Sequence, residues 1–188
     1  MEREDYFRSL ALLVARAGLG GSIAAHGAQK LFGAFGGPGI EKTGKFFESL
    51  GFADGERYAR AASATELTSG ALIAFGALNP LGPAMLLSVM AVAVETVHRP
   101  KGYFMDGGGY EMNVMYALLA LLLATQGQGA FSIDSLLGLD KRLGALHGWF
   151  AMLGGFGAAL AILSQRQKEQ PPSASANGAV REEQPTPA

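Results

Sequence analysis

The sequence predicts an all-α, polytopic membrane protein: an antiparallel four-helix transmembrane bundle followed by a fifth, C-terminal helix. Three observations lead there. Charged residues make up only 16% of the 188 residues, against roughly 25% in typical globular domains. They gather in the first eight positions, in 41–60, in 99–111 and in the tail, leaving long apolar stretches between them. Those stretches lack the apolar stripe and charged face of a surface helix, and around Leu118 to Ala124 every face is apolar.

Leu10 to Phe32 is the first span, interrupted only by Arg16, His26 and Lys30. It exceeds the roughly 7–15 apolar residues of a signal peptide and reads as retained. Gly33 to Gly39 is a Gly/Pro break. Ile40 to Leu50 then groups Phe46, Phe47 and Leu50 on one side, with Glu41, Lys42, Lys45 and Glu48 left for water. That is the pattern of an interfacial helix. Tyr58 to Leu78 is the second span, with Arg60 near its entry and Glu66 inside. Asn79-Pro80 and Gly82-Pro83 make the turn into the third, Leu81 to Val97, which carries Glu95. Met112 to Gln126 is the fourth and Leu143 to Leu163 the fifth. A bilayer core needs about 20 helical residues. The first, second and fifth spans meet that length, while the third and fourth must recruit polar flanks or sit where the bilayer thins. Beyond Ser164 the chain is rich in Gln, Pro, Ser and Ala without apolar periodicity, and reads as disordered.

Composition excludes several functions. A formal net charge of −1 argues against a nucleic-acid binder, which carries a basic stripe. With no cysteine, disulfides, thiolate metal sites and a cysteine nucleophile are ruled out. Three histidines without an HxxxH spacing give no expectation of a metal. His147 opens a polar-poor segment and reads as an interfacial residue.

The ionisable residues inside the spans carry the functional signal, because such residues are costly in a membrane and face a bundle interior or a wet cavity. At 100° per residue, Arg16, Ser22, His26, Gln29 and Lys30 share about 140° of one helix face. Glu66, Glu95 and Glu111 are available as counter-charges, with His26 and His98 as titratable intermediates. Arg16 is expected to pair with Glu66, or with Glu95 if the third span is its neighbour. Three readings stand side by side: polar glue fixing helix register, a polar site for a small redox molecule such as a quinone in an apolar cleft, and a proton or ion pathway. For a quinone, His26 and Lys30 would donate, with Glu66 and Glu111 as their partners. Close packing is expected at Gly18, Gly21 and Ser22, at Ala24 and Ala28, and at Gly154, Gly155, Ala158 and Ala159.

The run His26-Gly27-Ala28-Gln29-Lys30-Leu31-Phe32-Gly33, followed by Phe35-Gly36-Gly37-Pro38-Gly39, resembles the first-helix signature of the DoxX family of bacterial membrane proteins. Phe46-Phe47 with Leu50-Gly51-Phe52, Glu66 with Ser69-Gly70 and Leu72, and Met90-Ala91-Val92-Ala93 before His98 and Gly108-Gly109-Tyr110-Glu111 continue the likeness. Gly127-Gln128-Gly129 with Phe131-Ser132-Ile133-Asp134 resembles its closing element. The likeness runs from about Phe7 to Leu137. It implies a four-helix bundle in the bacterial cytoplasmic (inner) membrane and a lean toward quinone-linked redox chemistry, as an accessory or anchor subunit of an oxidoreductase or oxidative-stress system. The expected organisation is a bundle over 1–139, an extra apolar helix over 140–163 and a polar tail over 164–188. Expected partners are membrane lipid, a redox protein and a second copy of the chain. With the N-terminus outside and five crossings, Lys42, Lys45, Arg57, Arg60, Arg99, Lys101, Arg166 and Lys168 lie inside. Arg3, Arg8, Lys141 and Arg142 lie outside, an arrangement the positive-inside rule prefers.

Overall fold

A computed structural model describes residues 2–139 and 144–167. The predicted disorder of 168–188, the first residues of the predicted extra helix (140–143), and the charges at Lys141, Arg142 and Lys168 fall outside the described residues. Within them every regular element is helical: α1 (Arg3–Phe32), α2 (Gly39–Ser49), α3 (Gly55–Phe75), α4 (Leu81–Ala93), α5 (Glu111–Gln126), the single turn α6 (Ile133–Leu136) and α7 (Ala145–Ser164). Helices α1, α3, α4 and α5 surround a common core. Leu19 and Ile23 of α1 meet Ile73 of α3, Leu86 and Met90 of α4, and Ala120, Leu123 and Ala124 of α5. Met152 of α7 joins that core from outside, because α7 packs against α4 and α5.

The α1–α3 contact is the most extensive in the molecule, and missing side chains make it possible. A Cβ on Gly20 would lie 2.4 Å from the Gly70 carbonyl oxygen, and one on Gly27 would lie 2.7 Å from that of Ser63. Gly20 and Gly27 are two helical turns apart, as are Ser63 and Gly70, so the antiparallel helices meet at two matched points. The expected contacts at Gly18 and Gly21 are corrected here, since a Cβ on either meets nothing within 4 Å. Small residues pack only where the crossing turns them inward. In α7 likewise, Gly155 lies on Ala84 while Gly154 faces open space.

Among the described residues, three helices are long and apolar enough to cross a membrane: Arg3–Phe32, Leu81–Lys101 and Ala145–Ser164. The described residues are those of a helical membrane protein. The third predicted span was expected to be short, but α4 runs on through a π-helical turn, Val94–His98, and a 3₁₀ turn, Arg99–Lys101. The second reverses the other way. α3 has 21 residues yet is not among the apolar helices, because Arg60, Ser63, Glu66, Thr68 and Ser69 dilute it. α5 is apolar but has only 16 residues.

Pro83 sits in the first turn of α4, where its missing N–H would have had no helical partner. α2 is amphipathic as predicted, with Thr43 and Gly44 buried against α3. On its outer face Lys45 donates to Glu41 at 2.7 Å, which holds that carboxyl below the usual carboxylate range. At the other end of the molecule, residues 127–134 fold back onto the α3–α4 turn. Asp134 is buried and accepts the backbone N–H groups of Leu78 at 2.7 Å and Asn79 at 2.8 Å. Gln128 donates to the Asn79 side chain at 2.7 Å, and the Ser9 hydroxyl accepts from the Ala130 N–H at 3.1 Å.

Candidate functional site

The polar residues of the spans do not form one network. They divide between the two ends of the bundle. Arg16 is 1% exposed, and its guanidinium donates to the carbonyl of Ala74 at 2.6 Å and to that of Phe131. Its expected pairing with Glu66, or with Glu95, is thereby corrected. The antiparallel register fixed by Gly20 and Gly70 sets Arg16 beside the last turn of α3, where the helix ends and leaves carbonyls without helical partners. Arg16 thus ties α1 to α3 and to the loop after α5.

Glu66 is paired instead with Lys30, about four helical turns from Arg16 along α1. The carboxylate is 3% exposed, and its second oxygen, Oε2, has no hydrogen-bond partner among the described residues. A buried polar oxygen left without a hydrogen bond costs about 1–3 kcal/mol.

This pair stands on the wall of a cavity of about 600 Å³ between α2, α3, α4 and the end of α7. Its walls are mostly apolar: Phe46, Phe47 and Leu50 from α2 and its end, Ala61 and Ala62 from α3, Val89, Val92 and Ala93 from α4, and Ile162 from α7. The predicted apolar side of α2 therefore lines a cavity within the protein. The π turn after α4 adds Thr96, Val97 and His98 to the lining, in keeping with the frequent occurrence of π turns at functional sites. The His98 ring bonds the Gly108 carbonyl through Nδ1 at 2.8 Å. Lys42 and Arg57, both exposed, also line the cavity, as does Gln165.

The other candidates lie elsewhere. His26 is exposed on α1 and is not part of the cavity lining. Glu95 pairs with Arg99 one turn along its own helix at 2.6 Å, with Arg99 exposed and Glu95 half-buried. Glu111 accepts the Met105 backbone N–H at 3.1 Å, which orders the loop before α5 rather than partnering Lys30 or His26. His147 is exposed at the start of α7. The residues that sequence reasoning missed are the contributors from distant segments, Tyr58, Thr96, Ile162 and Gln165. The Tyr58 hydroxyl donates to Gln165 Oε1 at 2.6 Å. The Gln167 N–H donates to the Gly51 carbonyl at 2.8 Å, and Arg166 Nε to that of Leu50. Gly51 has φ +93, and a Cβ there would lie 2.5 Å from the Gln167 carbonyl oxygen, so both backbone and space favour glycine. The expectation that the chain is disordered from Ser164 onward is corrected for 164–167, which dock here.

A family model described as DoxX matches residues 11–99. An uncharacterized protein of Haemophilus influenzae is 30% identical over 92 residues, amounting to 49% of this chain and 59% of that relative. The chain thus spans less than two thirds of the relative's length. No solved structure matches it. Apart from Ile162 and Gln165, every residue lining the cavity falls inside the matched segment.

Proposed function

We propose, from the match of residues 11–99 to the DoxX model, that the chain is a multi-pass protein of the bacterial cytoplasmic membrane, an accessory or anchor subunit of a quinone-linked redox system. One observation supports this reading above the others: buried Glu66 paired with half-buried Lys30 on the wall of a mostly apolar cavity of about 600 Å³. A pocket of a few hundred Å³ with apolar walls and a few polar groups is how proteins hold small molecules. Here an aromatic ring would lie against Phe46 and Phe47, with its oxygen substituents toward the ion pair. The chain has no cysteine, so its own part is to bind and orient, and electrons would come from a partner protein.

The test is purification in mild detergent, followed by the ultraviolet spectrum of the lipid extract and melting with decyl-benzoquinone. A co-purifying quinone, or a rise in melting temperature absent from Lys30→Met, is expected. Wild-type protein that carries no quinone, and whose melting temperature no quinone shifts, would overturn the reading. A second reading, a scaffold held by buried polar contacts, draws support from Arg16, whose two carbonyl partners come from separate segments. Its scope is the opposite end of the bundle, and the two roles coexist.

A further inference from the structure

A second space adjoins the cavity of the Lys30–Glu66 pair. It has a volume of about 780 Å³ and reaches the α3–α4 turn, where Leu78 and Leu81, both exposed, line its far end. Thr65 of α3, Ser88 of α4 and Ile162 of α7 line both spaces, so the two meet there. This groove exists because α3 and α7 each pack on α4 but scarcely touch each other. Ala84, Met85 and Ser88 of α4 form its floor, and one stripe of α7, Ala151, Gly154 and Ala158, forms its flank. Gly154 and Ala158 are exposed, and a Cβ on Gly154 meets nothing within 4 Å. Glycine inside a helix weakens it, and no close helix packing accounts for this one; what the missing side chain leaves is depth in the groove. Ser88 stands at the junction. It is 7% exposed, and its hydroxyl has no hydrogen-bond partner among the described residues.

A buried hydroxyl without a partner is unfavourable unless a guest bonds it, and a groove lined mainly by apolar side chains suits an apolar guest. We propose that the ligand of the cavity is a lipid quinone whose aliphatic tail lies in this groove, from Ile162 toward Ala151, while the Ser88 hydroxyl donates to the ring oxygen nearest the tail. This rests on the quinone reading of the same cavity and names its substrate class: a ring carrying a long apolar chain. Lys30 gives Glu66 one of its three N–H groups, so it retains donors for a ring oxygen deeper in the cavity. Ile162 and Ala151 are about 16 Å apart along α7, room for an extended decyl chain. The gap between α3 and α7 lets such a molecule enter sideways, from the hydrocarbon of the membrane.

The experiment uses the full chain in mild detergent and decyl-benzoquinone tipped with a photoreactive diazirine at the end of its chain. After irradiation, peptide mass spectrometry is expected to find the label between Ala151 and Ala158, or on Leu81 and Met85. Untipped decyl-benzoquinone should compete it away. Gly154→Leu, which fills the groove, should abolish it, and Ala158→Leu gives the same answer if Gly154→Leu fails to fold. The same ring with a methyl group in place of the chain should bind both variants as it binds wild type, by equilibrium dialysis. Ser88→Ala should weaken that tail-less ring about two- to tenfold, the equivalent of one neutral hydrogen bond. Equal labelling of the groove by a fatty acid with the same tip makes it an ordinary lipid contact and overturns the proposal. Label that lands elsewhere while the tail-less ring still binds, or Ser88→Ala that binds this ring like wild type, also overturns it and leaves the quinone reading intact. Binding of neither the tailed nor the tail-less ring overturns both.

Discussion

Arg16 and Glu66 show how a buried charge is read correctly and partnered wrongly. Helical periodicity was enough to put Arg16 and Lys30 on one inward face, and apolar flanks were enough to bury Glu66. Which cation meets the carboxylate depends on the sliding register of α1 against α3, and that is set by Gly20 and Gly27, which carry no polar signal. The consequence is testable. Lys30→Met should lower the detergent melting temperature strongly, since stranding the buried Glu66 carboxylate costs about 3–5 kcal/mol, and Glu66→Leu should cost less, because the Lys30 side chain is 33% exposed. The double variant should recover much of the loss. Arg16→Met should also destabilise strongly, because hydrogen bonds to a charged group contribute about 1.5–3 kcal/mol each, but Glu66→Leu should give it no rescue. Rescue of Arg16→Met by Glu66→Leu would show that the two charges pair after all.

Among the elements, the α1–α3 crossing discriminates between glycines of identical composition. Gly20→Val drives a side chain into the Gly70 carbonyl and the backbone of Ala74, and overpacking of this kind costs about 1–3 kcal/mol or more. Gly18→Val and Gly21→Val meet open space and should leave the melting temperature nearly unchanged. Equal losses at Gly18 and Gly20 would refute the crossing described here. The closing element after α5 yields a second case. Asp134→Asn replaces an acceptor of two backbone N–H groups by a side chain that must also donate, and an unmet buried group costs about 1–3 kcal/mol. Faster protease cleavage within 127–139 is the expected readout, and an unchanged cleavage rate would deny the clamp. Helix existence and order were legible in the sequence, from apolar runs and Gly/Pro breaks. The π turn that brings His98 to the cavity was not, because it is a one-residue adjustment of helical winding that leaves composition and hydrophobic pattern unchanged.

For the molecule as a whole, the charges sort by end. Lys42, Lys45, Arg57, Arg60, Arg99, Lys101 and Arg166 stand toward the α2 end, with Arg3 and Arg8 at the opposite one. On the proposed multi-pass reading, the positive-inside rule predicts the α2 end in the cytoplasm. A reporter fused after Gln167 should therefore be active only in its cytoplasmic form, and one fused after Ala77 only in its periplasmic form; the reverse pattern would invert the topology. The bundle itself was readable from one-dimensional spacing. The cavity was not, because Tyr58 and Gln165 lie 107 positions apart, and no local pattern announces that the last turn of α7 will rest on the α2–α3 loop.

That resting place has a consequence for biosynthesis. Chains fold from the N-terminus as they are made, so α1 to α5 can assemble while α7 is still within the ribosome. Until Gln165 to Gln167 emerge and reach Leu50, Gly51 and Tyr58, the cavity lacks the wall that Ile162 and Gln165 supply. Translation itself finishes the site. A ribosome stalled before Ile162 would leave a chain with its main polar pair in place and its ligand chamber open on one flank.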